Sequence, residues 1–382
     1  MSVDDYPIVT VRGGAYERGR QHGEWARDRV ARTVEIYRAA FRDTAGLGWP
    51  EALERAAGFA RVIASQDPVI LEEMRGIGDG AGFGLEEIVA VNCRTEILFG
   101  ARQPGAPDPT AHECTTIAVA PSASATGTTL LAKNWDWKAA CRDSVIVLQV
   151  AQDDGPDFVM VVEAGMVGRD GFNASGIAIC GNLLRSVRDG GTPGDPVPII
   201  RRRALNSTRL DAAFGAVLNA ARSASTNYVV AHESGVIVDF EASPHQVYPV
   251  YPERGLLTHA NHFTAVAAEV QGIGLLTGPD TLYRDRRVRD LLEPKIGRIT
   301  VEDVQRALTD HVGYPRSVCR HPEGPAGTGQ TMSIASVVID LGARVMHVAS
   351  GPPCCHPYRE VRLPERETEG VSDARHARVA AG

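Results

Sequence analysis

The chain has 382 residues, of which 43% are hydrophobic and 23% charged, and its formal net charge is −7. This length and composition are ordinary for a globular protein that buries a substantial core. The negative charge argues against a surface for nucleic acid or anionic membranes, and no apolar run approaches membrane-spanning length.

The first residues lack the basic and apolar regions of a signal peptide. The seven cysteines are odd in number and scattered along the chain, which suits reduced thiols better than a disulfide framework. These features predict a cytoplasmic protein.

The N-terminal third is predicted to be mainly helical after a short strand at 7–11. Apolar and charged positions alternate at near-helical spacing in four segments, Tyr16–Arg42, Glu51–Ser65, Pro68–Met74 and Leu85–Val91. Asp67 is expected to cap the helix that begins at Pro68. The glycines of Gly76–Gly84 predict a turn, and those of 97–113, with several prolines, predict an exposed loop.

The pattern becomes strand-like at Cys114, which begins an apolar, threonine-rich run. A Pro/Ser/Gly turn and a second run, Thr128–Ala132, follow, and together they predict a β-hairpin with Cys114 at its mouth. Further β-branched runs predict strands at Val145–Val150, Phe158–Glu163, Gly176–Cys180, Tyr228–Ala231, Val236–Phe240, Met332–Ile339 and Arg344–Ala349.

Helices are predicted between these strands, at Pro198–Leu205, Leu210–Ala221, Leu282–Leu292 and Val301–His311. Thr300 and Asp303 form a near capping box at the start of the last one. Many strands with interspersed helices predict antiparallel α+β layers and not a Rossmann alternation.

The position of Cys114 allows two interpretations. A cysteine there could be a small core hydrophobe. If the preceding peptide bond were cut, however, Cys114 would carry a thiol nucleophile and its own α-amine, whose usual pKa of about 7.7–8.0 lets it accept the thiol proton. One residue would then supply both nucleophile and base.

The stretches Glu113–Thr116 and Asn134–Asp136 resemble the isopenicillin N acyltransferase family of N-terminal-nucleophile (Ntn) hydrolases, whose precursors cut themselves before such a cysteine. The resemblance extends from about residue 8 to about residue 350. It rests also on Gly14–Gly23, Glu72–Ile77, Asn92–Glu96, Glu163–Gly165, Gly171–Asn173, Glu241–Pro244, His259–His262 and Tyr314–Arg320. It implies an αββα sandwich, two antiparallel sheets between helical layers, in one structural domain.

The resemblance also implies a site. The precursor would be cut between Glu113 and Cys114, and residues 1–113 and 114–382 would remain together as a heterodimer, with a tail from about 364 outside the core. Cys114 would be the nucleophile, Asp136 would orient the new α-amine, and Asn261 would donate an N–H to the oxyanion. Asp136 could instead bind local amides, and Asn261 could be a turn residue.

Catalytic roles are predicted less strongly for other polar residues in or near these motifs. Thr116 and Ser243 match family hydroxyls thought to assist catalysis, but such residues equally often bond backbone groups. His259 and His262 flank Asn261 and are expected to serve as scaffold, because an α-amine base makes neither of them necessary.

Two departures from the family pattern bear on maturation and substrate. Glu113 replaces the glycine of the penicillin-acylating enzymes, and an N-to-S acyl shift needs a strained peptide that glycine adopts more easily. Residues 327–331 lack the Ser-Arg pair of those enzymes, which weakens the expectation of a penicillin substrate.

No metal or cofactor is expected from the sequence, apart from a coenzyme A thioester as a possible acyl-donor substrate. Cys354, Cys355 and His356, with His347 upstream, offer soft ligands, but adjacent cysteines do not match the usual zinc spacing. A phosphate-binding P-loop motif is also missing.

The predicted function is N-acyl transfer. A thioacyl-enzyme would form from an amide or thioester donor, and a small-molecule amine would accept the acyl group, with no nucleic acid or membrane partner. The resemblance associates such an enzyme with secondary metabolism and antibiotic biosynthesis. Two alternatives stay open: an amidohydrolase acting on an N-acyl amino compound such as a β-alanyl amine, and a catalytically silent Ntn scaffold that binds a small acyl compound.

Overall fold

The computed structural model describes residues 5–100, 114–265, 270–324 and 330–365. Glu113, most of the predicted loop 97–113, residues 327–329 of the departure from the family pattern, and nearly all of the tail predicted from 364 lie outside these ranges.

The helices of the described chain alternate with short connections in the first hundred residues and lie between strands thereafter. They are α1 (Ala15–Trp25), α2 (Arg27–Ala45), α3 (Trp49–Gln66), α4 (Pro68–Ala81), α5 (Leu85–Asn92), α6 (Arg94–Gly100), α7 (Val197–Leu205), α8 (Leu210–Leu218), α9 (Gly274–Thr277), α10 (Thr281–Leu292) and α11 (Val301–Leu308). None of them is both long and apolar enough to cross a membrane.

The strands are β1 (Ile8–Gly13), β2 (Cys114–Val119), β3 (Leu130–Lys138), β4 (Val145–Gln152), β5 (Phe158–Glu163), β6 (Asp170–Asn173), β7 (Ile177–Cys180), β8 (Thr226–His232), β9 (Ile237–Ala242), β10 (Val247–Val250), β11 (Leu256–His259), β12 (Thr331–Asp340), β13 (Val345–Ala349) and β14 (Arg359–Arg362). They form an eight-stranded sheet, β1-β4-β5-β6-β7-β8-β9-β10, and a six-stranded sheet, β11-β2-β3-β12-β13-β14. Among these pairs, β1 with β4 is parallel and the others are antiparallel.

The two sheets lie face to face between helical layers. Helices α2, α7 and α8 pack on the eight-stranded sheet, α10 and α11 pack on the six-stranded sheet, and β3 contacts β7 across the interior. The α+β class and the αββα layering are therefore as predicted.

Strand β2 shows how the sequence produces this layering. All six of its residues are buried, and their side chains alternate between two apolar cores. Cys114 and Ala118 belong to the core between the sheets, whereas Ile117 and Val119 belong to the core under α10 and α11. A thiol at the first position of β2 is thereby directed between the sheets.

The turn predicted at Gly76–Gly84 is confirmed only at Gly82–Gly84, because α4 continues to Ala81. Its glycines serve a helix contact. A Cβ atom added at Gly76 or Gly80, or at Gly19 or Gly23 of α1, would lie between 2.0 and 2.3 Å from a backbone oxygen of the other helix. The two helices approach so closely that only glycine fits at these four positions.

Several other expectations need correction. The predicted helix Tyr16–Arg42 is two helices that meet at Ala26, and α8 and α11 end three residues earlier than predicted. Asp67 precedes α4, but its side chain makes no cap and binds Arg203. Helix α6 occupies the start of the predicted loop, and strands β6, β10, β11 and β14 were not predicted. The hairpin, β5 and the capping box of α11 are confirmed.

We expect Gly76→Ala to lower the free energy of unfolding by about 2–4 kcal/mol, because the new methyl group meets rigid backbone of α1. Urea unfolding measures this in a Cys114→Ala background, which would prevent the predicted self-cleavage. The matched control is Gly215→Ala in α8, where the nearest atom to the added Cβ is a side-chain nitrogen at 3.4 Å. That change should stabilise the helix by up to about 1 kcal/mol. Equal effects of the two substitutions would contradict the close-packing explanation.

Candidate active site

Cys114 lies where the six-stranded sheet meets the interior cavity. It is the first residue of β2 and pairs with Trp135 of β3. Its side chain is 4% exposed, and its Sγ lies 3.9 Å from the backbone oxygen of Asp136. The pairing with β3 includes Cys114, whereas the pairing of β2 with β11 begins at Thr116.

Asn261, directly beyond β11, holds the backbone nitrogen of Cys114. The N–H of Cys114 donates to Oδ1 of Asn261 at 2.6 Å, and Nη2 of Arg284 donates to the same oxygen at 3.1 Å. The amide nitrogen of Asn261 donates to the carbonyl of Leu183 at 2.9 Å. Two donors on Oδ1 determine the orientation of the amide. The contact with Cys114 is thus made by the oxygen of Asn261, and donation from its nitrogen to an oxyanion stays a prediction.

Arg284 of α10 is a site residue that the sequence analysis missed. It is fully buried, and its Nη1 donates to the carbonyl of Cys114 at 2.7 Å. Its Nε donates to Oδ2 of Asp280 at 3.0 Å. The spacing of Asp280 and Arg284 is that of a helical ion pair, but nothing in the sequence indicates that this pair lies against β2.

Asp136 is buried on the opposite face of the sheet from the Cys114 thiol, since it follows Trp135 in β3 and side chains alternate. Its Oδ1 accepts a hydrogen bond from Ser333 at 2.6 Å, and its Oδ2 has no partner. Burial raises the pKa of Asp136 to about 8, although Arg284 and Ser333 oppose the shift. In the described chain its carboxyl group makes no hydrogen bond to Cys114, so its predicted orientation of the α-amine is not tested.

Ser333 was also missed. It lies opposite Asp136 in the pairing of β12 with β3, at the edge of a register shift. Its Oγ also accepts a hydrogen bond from the backbone N–H of Arg320 at 2.9 Å. The serine therefore links Asp136 to the segment before β12.

The two hydroxyl groups carried over from the family have other partners. Thr116 faces the interior with Cys114, and its Oγ1 donates to Oδ1 of Asn182 at 2.8 Å. Ser243 lies in the turn between β9 and β10, where its Oγ accepts from the N–H of Gln246 at 3.2 Å. Among the described residues neither hydroxyl bonds Cys114, Asp136 or Asn261, so catalytic roles for Thr116 and Ser243 stay predictions.

His259 has the geometry of a scaffold residue. Its Nε2 lies 2.9 Å from Oε1 of Glu241, and its Nδ1 lies 2.9 Å from the carbonyl of Ala260. Burial lowers the pKa of His259, but Asp239 and Glu241 outweigh it and raise the pKa to about 9. A doubly protonated ring satisfies both acceptors, and it is unsuited to act as a base at neutral pH.

The thiol opens into a small, partly open cavity of about 30 Å³. Its lining combines apolar side chains with cations: Cys114, Trp137, Leu183, Val197, Lys133, Arg94, Arg169 and Arg201 are among the lining residues. Most of the lining comes from the interior face of the six-stranded sheet and from residues near α6 and α7.

The cavity wall carries more positive than negative charge. Lys133 and Arg201 share Asp170 at 3.1 and 3.0 Å, and Arg94 pairs with Glu163 at 2.9 Å. Arg169 is only 9% exposed, but its ion pair with Asp170 is longer, at 3.8 Å from Nε to Oδ2.

Arg169 is the cation with the fewest partners. Its guanidinium stacks 3.7 Å from the centre of the Trp135 ring, and within the described ranges it makes no hydrogen bond. Burial lowers the pKa of Arg169 to about 10. Because Trp135 is the strand partner of Cys114, this group lies beside the thiol.

Comparisons with known proteins identify the family of the chain. The sequence profile of the family described as acyl-coenzyme A:6-aminopenicillanic acid acyl-transferase matches residues 124–354. The chain is similar to the 40 kDa form of acyl-coenzyme A:6-aminopenicillanic-acid-acyltransferase from Emericella nidulans, with 27% identity over 350 residues, 90% of this chain and 92% of that protein.

Two solved structures are more distantly similar. A mutant conjugated bile acid hydrolase from Clostridium perfringens is 13% identical with a TM-score of 0.42, covering 62% of this chain and 89% of that one. Penicillin V acylase from Agrobacterium tumefaciens is 13% identical with a TM-score of 0.42, covering 62% and 83%.

The raised pKa of Asp136 has a consequence for stability. The folded chain keeps a proton that the unfolded chain releases near the ordinary pKa of 3.8, so stability contributed by this proton is lost as the pH rises toward about 8. In a Cys114→Ala background, Asp136→Asn should remove this dependence and gain on the order of 2–4 kcal/mol relative to aspartate between pH 5 and pH 8. Urea unfolding at both pH values measures the difference.

The control for this experiment is Glu35→Gln, which changes an exposed carboxylate in α2. It should leave the pH dependence unchanged. Parallel pH profiles with aspartate and asparagine at position 136 would mean that Asp136 is ionised in the folded protein.

Proposed function

Because the chain belongs to the acyl-coenzyme A:6-aminopenicillanic acid acyl-transferase family, and is thus an acyl-transferring or hydrolytic enzyme, we propose that it is a self-processing cysteine N-acyltransferase. Cys114 is the nucleophile of a thioacyl-enzyme, and an amine is the acceptor. The observation that carries the proposal is the 2.6 Å hydrogen bond from the nitrogen of Cys114 to Asn261, beside a thiol that faces a cavity.

Maturation begins with attack of the Cys114 thiol on the carbonyl carbon of Glu113. The peptide bond is replaced by a thioester, the nitrogen of Cys114 becomes an amine, and water then hydrolyses the thioester to a free Glu113 carboxylate and the restored thiol. The hydrogen bond to Asn261 supports this proposal, since the same oxygen would orient the amine once it is released.

Catalysis then uses the α-amine as base. The guanidinium of Arg284, which contacts both Asn261 and the carbonyl of Cys114, disfavours a second positive charge nearby and so keeps the amine neutral at the pH of the reaction. The amine accepts the thiol proton, the thiolate attacks the donor carbonyl, and the remaining amide hydrogen of Asn261 donates to the oxyanion. The proton passes to the leaving group. The acceptor amine then attacks the thioester, the C–S bond breaks, and the proton lost by the acceptor returns to the sulfur and restores the thiol.

The two products of self-cleavage would remain together. Buried or partly buried ion pairs connect residues before and after the proposed cut, namely Glu73 with Arg202 at 2.7 Å, Arg94 with Glu163 at 2.9 Å and Arg18 with Asp154 at 3.0 Å. Separating the fragments would expose β1 and the apolar faces of the first helices to water. This supports a heterodimer of the two fragments.

The charge of the cavity supports a substrate with an anionic group. Arg169 stacks beside Cys114 with no hydrogen-bond partner in the described chain, and a carboxylate would complete its contacts. The aminopenicillanic acid in the name of the Emericella nidulans relative is both an amine and an acid, which fits this arrangement. A role in antibiotic biosynthesis is compatible with this substrate class.

Self-cleavage is tested by the intact mass of the purified protein under denaturing conditions. Wild type should split at the Glu113–Cys114 bond, whereas Cys114→Ala should remain whole. Cys180→Ala is the matched control, since it removes another buried thiol of the interior and should still be cut. A wild-type chain that stays whole after prolonged incubation, yet binds acyl compounds, would favour the silent-scaffold alternative and remove the α-amine base.

The preference for a charged substrate is tested by steady-state kinetics. Arg169→Gln should raise KM for substrates with a carboxylate by about 10–100-fold, the loss of one charged hydrogen bond, and leave neutral analogues unchanged. Arg209→Gln, at an exposed position, is the control.

The choice between transfer and hydrolysis is tested by product analysis. Release of free acid with no acyl-amine product when amines are added would assign amide hydrolysis to the site in place of transfer.

A further inference from the structure

Four metal-binding side chains converge at a surface of the protein away from the Cys114 thiol. Their ligand atoms all lie within 4.8 Å of one another, and they belong to His311, Cys319, His321 and Cys354. Cys319 is buried, His321 is half-buried, and His311 and Cys354 are exposed. The set offers two imidazole nitrogens and two thiols.

Hydrogen bonding alone does not explain this cluster. Nε2 of His321 lies 3.2 Å from Nε2 of His311, 3.6 Å from Sγ of Cys319 and 3.3 Å from Sγ of Cys354. A ring nitrogen has either one hydrogen or one lone pair, so it can satisfy one of these three neighbours. The other two contacts would bring polar atoms together without a bond between them.

A tetrahedral zinc ion does explain it. With Zn–N bonds of about 2.0–2.1 Å and Zn–S bonds of about 2.3 Å, neighbouring ligand atoms are roughly 3.3–3.8 Å apart. The three distances from His321 are close to these values. Two cysteines and two histidines with no open position form the ligand set of a structural zinc site.

We propose that His311, Cys319, His321 and Cys354 bind one structural Zn²⁺ ion, with release of the two thiol protons. This inference is independent of the proposed acyl transfer. It replaces the expectation of no metal, which considered Cys354, Cys355 and His356 with His347. Sequence spacing did not reveal this set, because its ligands come from two separate connections: three of them lie between α11 and β12, and Cys354 lies between β13 and β14.

The neighbours of the cluster help to define it. Sγ of Cys355 lies 3.3 Å from Sγ of Cys354 but is not among the four converging atoms. His356 lies 3.0 Å from Arg142 and 3.1 Å from the carbonyl of Pro352. Both residues are therefore outside the proposed coordination shell and provide matched controls.

The ion would fasten a segment that reaches the candidate active site. Arg320 stands between the ligands Cys319 and His321, and its N–H donates to Ser333, which in turn bonds Asp136. Zinc at this position would hold the segment before β12 to the connection between β13 and β14. Its role would be to position this support and not to take part in the chemistry.

The test is metal analysis of untagged protein purified under reducing conditions without added metal or chelator. Wild type should contain about one zinc per chain, Cys354→Ser and His321→Ala should lose at least nine-tenths of it, and Cys355→Ser should retain it. Retention by both ligand variants, or full loss in Cys355→Ser, would overturn the ligand assignment. Because Cys354 is exposed, its replacement by serine should not prevent folding.

A spectroscopic measurement on the wild-type chain covers the case in which a variant does not fold. Zinc is removed with a chelator, the thiols are kept reduced, and Co²⁺ is added. Thiolate charge-transfer and tetrahedral ligand-field bands should appear at one equivalent and disappear on addition of zinc. Wild type without zinc, and without these bands after cobalt addition, would overturn the proposal, as would a disulfide between Cys354 and Cys355 in place of a metal.

Discussion

The buried positive charge of Arg284 is the constraint on which the candidate site depends. A guanidinium with no contact to water must be surrounded by acceptors, and three of its partners are Asp280, the carbonyl of Cys114 and Oδ1 of Asn261. Each partner comes from a different element, so the charge fixes α10, the start of β2 and the residue beyond β11 in one arrangement. The nitrogen and carbonyl of Cys114 are held by these contacts, and its thiol faces the cavity.

Buried ion pairs elsewhere in the interior likewise connect parts of the chain that are far apart in sequence. Glu73 of α4 binds Arg202 of α7, and Arg94 of α6 binds Glu163 of β5. Removing one member of such a buried pair typically costs about 3–5 kcal/mol, because the other charge is left without compensation. The helices before Cys114 are thus tied to the chain after it by buried charges, and one of them, α6, contributes Arg94 to the cavity wall.

The sequence predicted correctly those elements that a pattern of a few neighbouring residues defines. The hairpin of β2 and β3 follows from alternation, and the capping box at Thr300 follows from two side chains. The glycines of Gly76–Gly84 give the same signal for a turn as for a close helix contact, and only the position of α1 decides between them. Short strands such as β6 and β14 need a neighbouring strand to define them. Among site residues, Cys114 and Asn261 stand in motifs, whereas Arg284, Ser333 and the four clustered ligands of the zinc proposal become related only in the folded chain.

The parallel pairing of β1 with β4 sets an order of events during synthesis. Ile8 lies opposite Val147, so β1 leaves the ribosome long before its partner β4, and the helices between them must collapse around an incomplete sheet. This strand lies before the proposed cut and its partner lies after it. A bond broken too early would convert an intramolecular encounter into a bimolecular one and forfeit the high local concentration that the covalent link provides. If Cys114 cuts the chain as proposed, assembly of the sheet has to precede that reaction, and a free α-amine at Cys114 would report that folding has finished.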